Sequence, residues 1–150
     1  MYADLIERAL AASDIGQLLS IRKRLKQSDM KGMNVTHLTF LGIASATKKK
    51  FDMAAPCFWI AFEKDTSNAD CRVNLANCLK DLGDFRTALE IYLGGNGAEE
   101  HDPQLALGAA ICEMELGLYA DAIPRLEKAV RLWPDDPKIN YQYARCLFKL

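Results

Sequence analysis

The sequence predicts an all-α protein in which antiparallel helix hairpins stack into a right-handed superhelix. Three observations support this fold class. A pattern of small and large residues recurs at an offset of 34 positions along the 150-residue chain. Apolar residues follow helical spacing, and no segment alternates with the period of two that is typical of a β-strand. Gly83 and Gly117 each divide one unit into two helices, with Lys49 at the equivalent position, because glycine readily adopts the left-handed backbone that ends a helix.

Residues 1–34 lie outside the repeat and predict a helical extension. The stretch DLIERAL (Asp4–Leu10) suggests one short helix, and Asp14 followed by Gln17 resembles a capping arrangement that opens a second helix. The apolar residues of these helices are sufficient either to cover the open end of the first repeat or to pair with another chain. We expect a cap, with a homodimer through the N-terminal helices as the alternative.

Residues 35–150 contain the repeat itself. This region divides into three units and one terminal helix, at residues 35–68, 69–102, 103–136 and 137–150. In the second helix of each unit, an alanine precedes a large residue by four positions: Ala54 and Phe58, Ala88 and Tyr92, Ala122 and Leu126. The alanine allows two helices to approach closely. Because one hairpin cannot bury its apolar face alone, about three stacked units are needed for stability.

A 34-residue helical hairpin with these anchors, with Leu41-Gly42 in its first helix and with a late proline such as Pro134, resembles the tetratricopeptide repeat (TPR). The resemblance covers Val35 to Leu150. An N-terminal helical extension, three repeats and one final helix also resemble the class II chaperones of bacterial type III secretion. That resemblance implies a protein that holds an extended segment of a client protein in its concave groove.

The glycine-rich stretch LGGNGAEE (Leu93–Glu100) has the composition of a phosphate-binding loop. In repeat register, however, Gly95 occupies the small-residue position that Ala61 and Ala129 occupy in the neighbouring units. No predicted strand precedes the stretch, and no Gly-Lys-Ser/Thr follows it to hold a phosphate and a metal ion. We therefore expect the end of a helix here, not a nucleotide site.

The residue pattern offers no catalytic site, metal site or cofactor site. Cys78, Cys112 and Cys146 recur at one repeat position, where cysteine acts as a small buried residue. Equivalent positions in stacked repeats lie on the order of 10 Å apart, too far to converge on one metal ion. His37 and His101 are too isolated to suggest a general base. We expect a protein that is not an enzyme.

Charge and hydropathy exclude two further classes of partner. The formal net charge is −1, and the basic runs RKRLK and KKK are short, so we expect no nucleic-acid binding. No apolar run approaches the roughly 20 residues that span a bilayer, so we expect no membrane insertion. An acidic N-terminal stretch and five cysteines without a CxxC pair favour the reducing cytoplasm.

The expected functional surface is the concave face, which the first helices of successive units line. Repeat register assigns ten residues to it: Ile43, Val73, Asn77, Lys80, Leu107, Ile111, Met114, Tyr141, Arg145 and Phe148. The three from the third unit are apolar and lie on a face that the hairpin's own packing should leave open. We expect an extended partner segment with apolar side chains to cover them, with the terminal helix or a second copy as alternatives.

Some TPR domains bind a C-terminal carboxylate through Lys, Arg and Asn residues on this face. Asn74 and Asn77 match that pattern, but Thr39, Gln104 and Gly108 replace its basic residues, so no such clamp is expected. We therefore expect a non-enzymatic protein-binding module, and within that class a stand-alone chaperone or adaptor. The alternatives are the docking region of a larger protein, such as a bacterial glycosyltransferase, and a self-assembling scaffold.

Overall fold

The computed structural model describes residues 2–94 and 97–150, and the all-α prediction is confirmed. The described residues contain no strand, and their helices pack as successive hairpins. Their bounds are α1 Tyr2–Ala11, α2 Ile15–Arg24, α3 Gln27–Lys31, α4 Val35–Thr47, α5 Phe51–Lys64, α6 Ala69–Asp81, α7 Phe85–Leu93, a 3₁₀ turn Ala98–Glu100, α8 Pro103–Glu115, α9 Tyr119–Leu132 and α10 Pro137–Lys149. No helix in these ranges is both long enough and apolar enough to cross a membrane.

The repeat register coincides with the helix starts. Helices α4, α6, α8 and α10 begin at the first residue of each predicted unit: Val35, Ala69, Pro103 and Pro137. The chain divides into two compact units, residues 1–78 (unit 1) and residues 79–150 (unit 2). The predicted boundary at residue 34 stays a prediction.

In unit 1, the N-terminal helices share one core with the first hairpin. Ile6 of α1 and Leu18 of α2 are buried together with Leu41 of α4. The predicted cap of α2 is present, since Asp14 Oδ1 accepts a hydrogen bond from the Gln17 backbone N–H at 2.9 Å. Ile6 and Leu18 are thus covered within unit 1, whereas Leu5, Leu10 and Leu19 are half-buried, and a homodimer through the N-terminal helices stays a prediction. The packing favours the expected cap.

The turns confirm the left-handed positions that the repeat predicts. Gly83 and Gly117 have φ of 85° and 76°, and Lys49 has φ of 57° at the equivalent turn between α4 and α5. A side chain at such a φ crowds the following carbonyl oxygen, which glycine avoids. The first hairpin therefore contains local strain that the other two turns lack.

We expect Lys49→Gly to raise the free energy of unfolding by about 0.5–1 kcal/mol. Relief of the left-handed strain, about 1–2 kcal/mol, exceeds the greater entropy that glycine loses on folding. Lys48→Gly is the matched control, because Lys48 has φ of −91° and the same substitution should there be destabilising. Urea unfolding of both variants measures the difference. Equal effects at the two positions would contradict the assignment of strain.

In unit 2, a glycine on α8 provides the space for a buried aromatic ring. A Cβ atom added to Gly108 would overlap Tyr92 Cζ, so only glycine fits beneath this ring. Tyr92 is fully buried, and burial raises the pKa of its phenol. Tyr92, the large residue of the predicted Ala88 and Tyr92 anchor on α7, thus packs against α8.

The glycine-rich stretch begins with the end of a helix. Helix α7 ends at Leu93, Gly94 follows as its C-cap, and Gly97 has φ of 84° before the 3₁₀ turn. No strand precedes the stretch among the residues that the structure describes. Gly95, which the register places at the small-residue position, lies outside those residues.

All five cysteines are buried free thiols, which confirms the core interpretation of the three repeated ones. Burial raises the pKa of Cys112 to about 11, and it also raises the pKa of Cys146. In the described ranges no three His, Cys, Asp or Glu side chains converge in a way that could hold a metal ion.

Candidate partner-binding surfaces

The residues predicted for the concave face fall into buried and accessible groups. In unit 1, Ile43 on α4 is exposed, and Asn77 on α6 is half-buried. Val73 is buried like its neighbours Arg72 and Leu75, so it belongs to the core and does not present its side chain to a ligand. The prediction that Val73 is open to a ligand was wrong, because repeat register does not show which part of a helix is covered by the rest of the chain.

Met114, in unit 2, requires the same correction. Its side chain is 4% exposed and packs in one cluster with Ala122 and Leu126 of α9 and Cys146 of α10. The terminal helix therefore covers part of the apolar stripe that sequence reasoning left open. This agrees with the alternative in which the terminal helix, and not a partner, covers apolar residues of the third unit.

The other predicted residues of unit 2 remain accessible. Leu107 and Ile111 are half-buried on α8, whereas Tyr141 and Phe148 on α10 are 65% and 92% exposed. Between them, Arg145 Nη2 donates to Glu115 Oε1 at 3.3 Å and so links the two helices. We define the α8–α10 face by Leu107, Ile111, Tyr141, Arg145 and Phe148. Lys80, also in unit 2, is half-buried at the end of α6.

Sequence reasoning missed another feature of unit 2. A cavity of about 520 Å³ lies between α7, the 3₁₀ turn, α8 and α9. Its apolar wall includes Leu89, Leu93, Leu118, Pro124, Leu132 and Trp133. Its charged residues are Glu99, Glu100, Glu113, Asp121, Arg125 and Lys128. None of the residues that define the α8–α10 face lines this cavity.

A buried ion pair forms one side of the cavity. Arg125 Nη2 donates to Glu113 Oε1 at 2.8 Å, and Arg125 Nε donates to Glu113 Oε2 at 3.0 Å. Glu113 is only 2% exposed, so its carboxylate depends on this bidentate partner. Burial by itself lowers the pKa of Arg125, but the hydrogen bonds to Glu113 and the nearby carboxylates outweigh it and the pKa is raised.

Glu99, from the 3₁₀ turn, is left with an unsatisfied oxygen. Its Oε2 atom is buried, and no residue that the structure describes donates a hydrogen bond to it; its Oε1 atom lies 4.0 Å from Arg125 Nη1. At the rim, Lys128 Nζ lies 2.9 Å from Glu100 Oε1, and this hydrogen bond lowers the pKa of Glu100. The cavity therefore combines an apolar wall, the close ion pairs Arg125–Glu113 and Lys128–Glu100, the longer pair Arg125–Glu99 and one orphaned carboxylate oxygen.

One signal in the sequence could have indicated this site. Glu113 stands between Cys112 and Met114 inside an otherwise apolar helix segment. A carboxylate at a position flanked by buried residues needs a cationic partner, because an unpaired buried charge is very costly. The partner, Arg125, lies on the next helix, where repeat register alone does not identify it.

Comparisons with known proteins agree with this fold. A family model described as tetratricopeptide repeat matches residues 113–150. A comparison with curated protein sequences gave no match. MamA from Desulfovibrio magneticus is similar at 16% identity and a TM-score of 0.80, over 99% of this chain and 82% of that one. The Arabidopsis OM64 TPR domain has 18% identity and a TM-score of 0.71, over 77% and 96%.

A third similar structure contains a bound partner. It is PcrH in complex with the chaperone binding region of PopD, at 25% identity and a TM-score of 0.65, over 79% of this chain and 92% of that chain. Together with the family match in residues 113–150, these similarities confirm the resemblance to TPR proteins.

Proposed function

We propose that this chain, which has the TPR fold, is a non-enzymatic protein-binding module. Its α8–α10 face takes an extended segment of a partner protein that carries apolar side chains. The observation behind the proposal is the exposure of Tyr141 and Phe148 on α10, at 65% and 92%. Large apolar side chains that are exposed to water on one face of a helix are typical of a binding surface.

The energetics favour a ligand with apolar side chains. Covering a large apolar side chain contributes about 1.5–3 kcal/mol, so the two aromatic residues together contribute about 3–6 kcal/mol, which corresponds to a gain in affinity of roughly 10²–10⁴. The pair of Arg145 with Glu115 is half exposed and contributes little to stability, but it places a polar group within the face. A partner backbone could hydrogen-bond there while its side chains cover the rings.

A chaperone-type role is the finer form of this proposal. PcrH, solved with the chaperone binding region of PopD, offers a precedent on a similar fold for binding a segment of another protein. The five free thiols suit a reducing compartment such as the cytoplasm. Self-assembly is the second candidate, because Leu147 and Leu150 extend the exposed apolar surface near Phe148.

Replacing Tyr141 and Phe148 together with glutamate is expected to reduce partner capture at least about tenfold, because two apolar contacts are lost. Both side chains are exposed, so the melting temperature should stay close to that of the wild type. The measurement is a pull-down from lysate of the source cell. The double variant Ile15→Glu, Leu82→Glu is the matched control, since it adds the same charges at other exposed positions.

A photo-crosslinking residue then locates the contact. With p-benzoylphenylalanine in place of Phe148, we expect a crosslink to one segment of one partner protein, and none from the same residue in place of Ile15. A crosslink only to another copy of this chain would favour the scaffold over the chaperone. Equal capture by both double variants would contradict the α8–α10 face as the binding site.

A further inference from the structure

We infer that the cavity of unit 2 is a second binding site, which takes a lysine or arginine side chain of a protein partner. The inference does not rest on the α8–α10 face, because the residues that define that face do not line the cavity. It rests on three features of the cavity: an orphaned acceptor, an excess of negative charge and an apolar wall.

The orphaned acceptor is Glu99 Oε2. This atom is buried and bonds to no donor among residues 2–94 and 97–150, which leaves the cost of removing it from water uncompensated. Arg125 does not satisfy it, because its Nε and Nη2 donate to Glu113 and its Nη1 remains 4.0 Å from the other Glu99 oxygen. Glu99 lines the cavity, so an ammonium or guanidinium group there would neutralise its carboxylate, and a rotation of the carboxylate about its Cγ–Cδ bond would bring Oε2 to the donor.

The charge balance of the site also favours a cation. Four carboxylates and two basic side chains line the cavity, a formal net charge of −2. Arg125 pairs with Glu113 and Lys128 with Glu100, so Glu99 and Asp121 supply the excess. Unit 2 as a whole has eight Lys and Arg against twelve Asp and Glu, which gives a formal net charge of −4 and attracts a basic partner.

The apolar wall selects an organic cation over a metal ion. Leu89, Leu93 and Leu132 can contact the methylene stem of a basic side chain, as apolar surfaces do for Lys and Arg elsewhere. The Trp133 ring, also in the wall, can face the charged group. No metal-binding cluster of His, Cys, Asp and Glu occurs in the ranges that the structure describes.

The test uses the full chain, labelled with ¹⁵N, and the indole N–H signals of its tryptophans. Trp133 lines the cavity, whereas Trp59 in unit 1 serves as the internal reference, and Trp133→Phe assigns the two signals. The probes are acetyl-Ala-Lys-Ala-amide, its arginine analogue and its norleucine analogue. We expect a saturable shift of Trp133 with the basic peptides, at a Kd of about 1 mM, and binding at least about tenfold weaker for norleucine.

Glu99→Gln should weaken binding of the lysine peptide about tenfold, with melting at or above the wild-type temperature because a buried, incompletely paired charge is removed. Glu90→Gln is the matched control: Glu90 is exposed on α7 and does not line the cavity. Asp121→Asn, at the second uncompensated carboxylate, should weaken binding about threefold.

The inference would be overturned by the absence of a saturable shift of Trp133, by equal binding of the norleucine peptide, or by unchanged binding in Glu99→Gln. Tighter binding of free putrescine than of the lysine peptide would also overturn it, since the site would then suit a small diamine. Loss of partner capture in the α8–α10 variant leaves this test unaffected, so the two proposals fail separately.

Discussion

Arg125→Ala is expected to lower the free energy of unfolding by about 3–5 kcal/mol. The substitution removes the bidentate partner of Glu113 and leaves a carboxylate that is only 2% exposed without a counter-ion. The reverse change, Glu113→Ala, should cost less. Arg125 is more accessible to water than Glu113, with 22% of its side chain exposed, and Glu99 lies nearby.

Urea unfolding followed by Trp133 fluorescence, in a Trp59→Phe background, measures this effect in unit 2. Arg131→Ala is the matched control on the same helix, since Arg131 is exposed and its loss should change stability by no more than about 0.5 kcal/mol. The double variant Glu113→Ala, Arg125→Ala should be more stable than Arg125→Ala alone, because no unpaired buried charge remains. Similar values for Arg125→Ala and Arg131→Ala would contradict a structural role for the pair.

Gly108→Val is expected to destabilise unit 2 by about 3 kcal/mol, at the upper end of the range for overpacked cores. Even a Cβ at this position would overlap Tyr92 Cζ, and the Tyr92 ring is fully buried. Either the ring or α8 must then move, and both movements disturb the contact between α7 and α8.

Thermal unfolding of Gly108→Val is compared with that of Gly16→Val in α2. At Gly16 a Cβ would meet only Asp14 Oδ1 at 3.4 Å, an ordinary contact, so the same substitution should have an effect of less than about 1 kcal/mol. A wild-type melting temperature for Gly108→Val would show that the Tyr92 ring can leave its place without loss of stability.

Local chemistry made much of the fold predictable. The 34-residue register predicted where α4, α6, α8 and α10 begin, because helix starts and turns depend on residues within a few positions. The left-handed backbone at Gly83, Gly117 and Lys49 followed from the same register. The burial of the repeated cysteines was predictable too, because a small apolar residue at a recurring helical position faces the neighbouring helix.

Repeat register did not determine which of the predicted groove residues are exposed. Met114 and Phe148 hold equivalent repeat positions, yet one is 4% exposed and the other 92%. The difference arises because α9 and α10 cover Met114, whereas no described residue covers Phe148 to the same extent. Repeat periodicity describes which way a side chain faces, but not what lies in front of it.

The sequence by itself determined the helical hairpins, their boundaries and their turns, because these depend on contacts between residues near one another in the chain. Only the tertiary structure decided the cavity of unit 2, since Glu99, Glu113 and Arg125 come from three elements that meet through packing. The role of Gly108 was also decided by the tertiary structure. In the sequence it stands where a carboxylate clamp would have a basic residue, and in the structure its missing side chain leaves room for the Tyr92 ring. Burial and charge pairing depend on which helices pack against one another, and the residue pattern of the sequence does not specify those contacts.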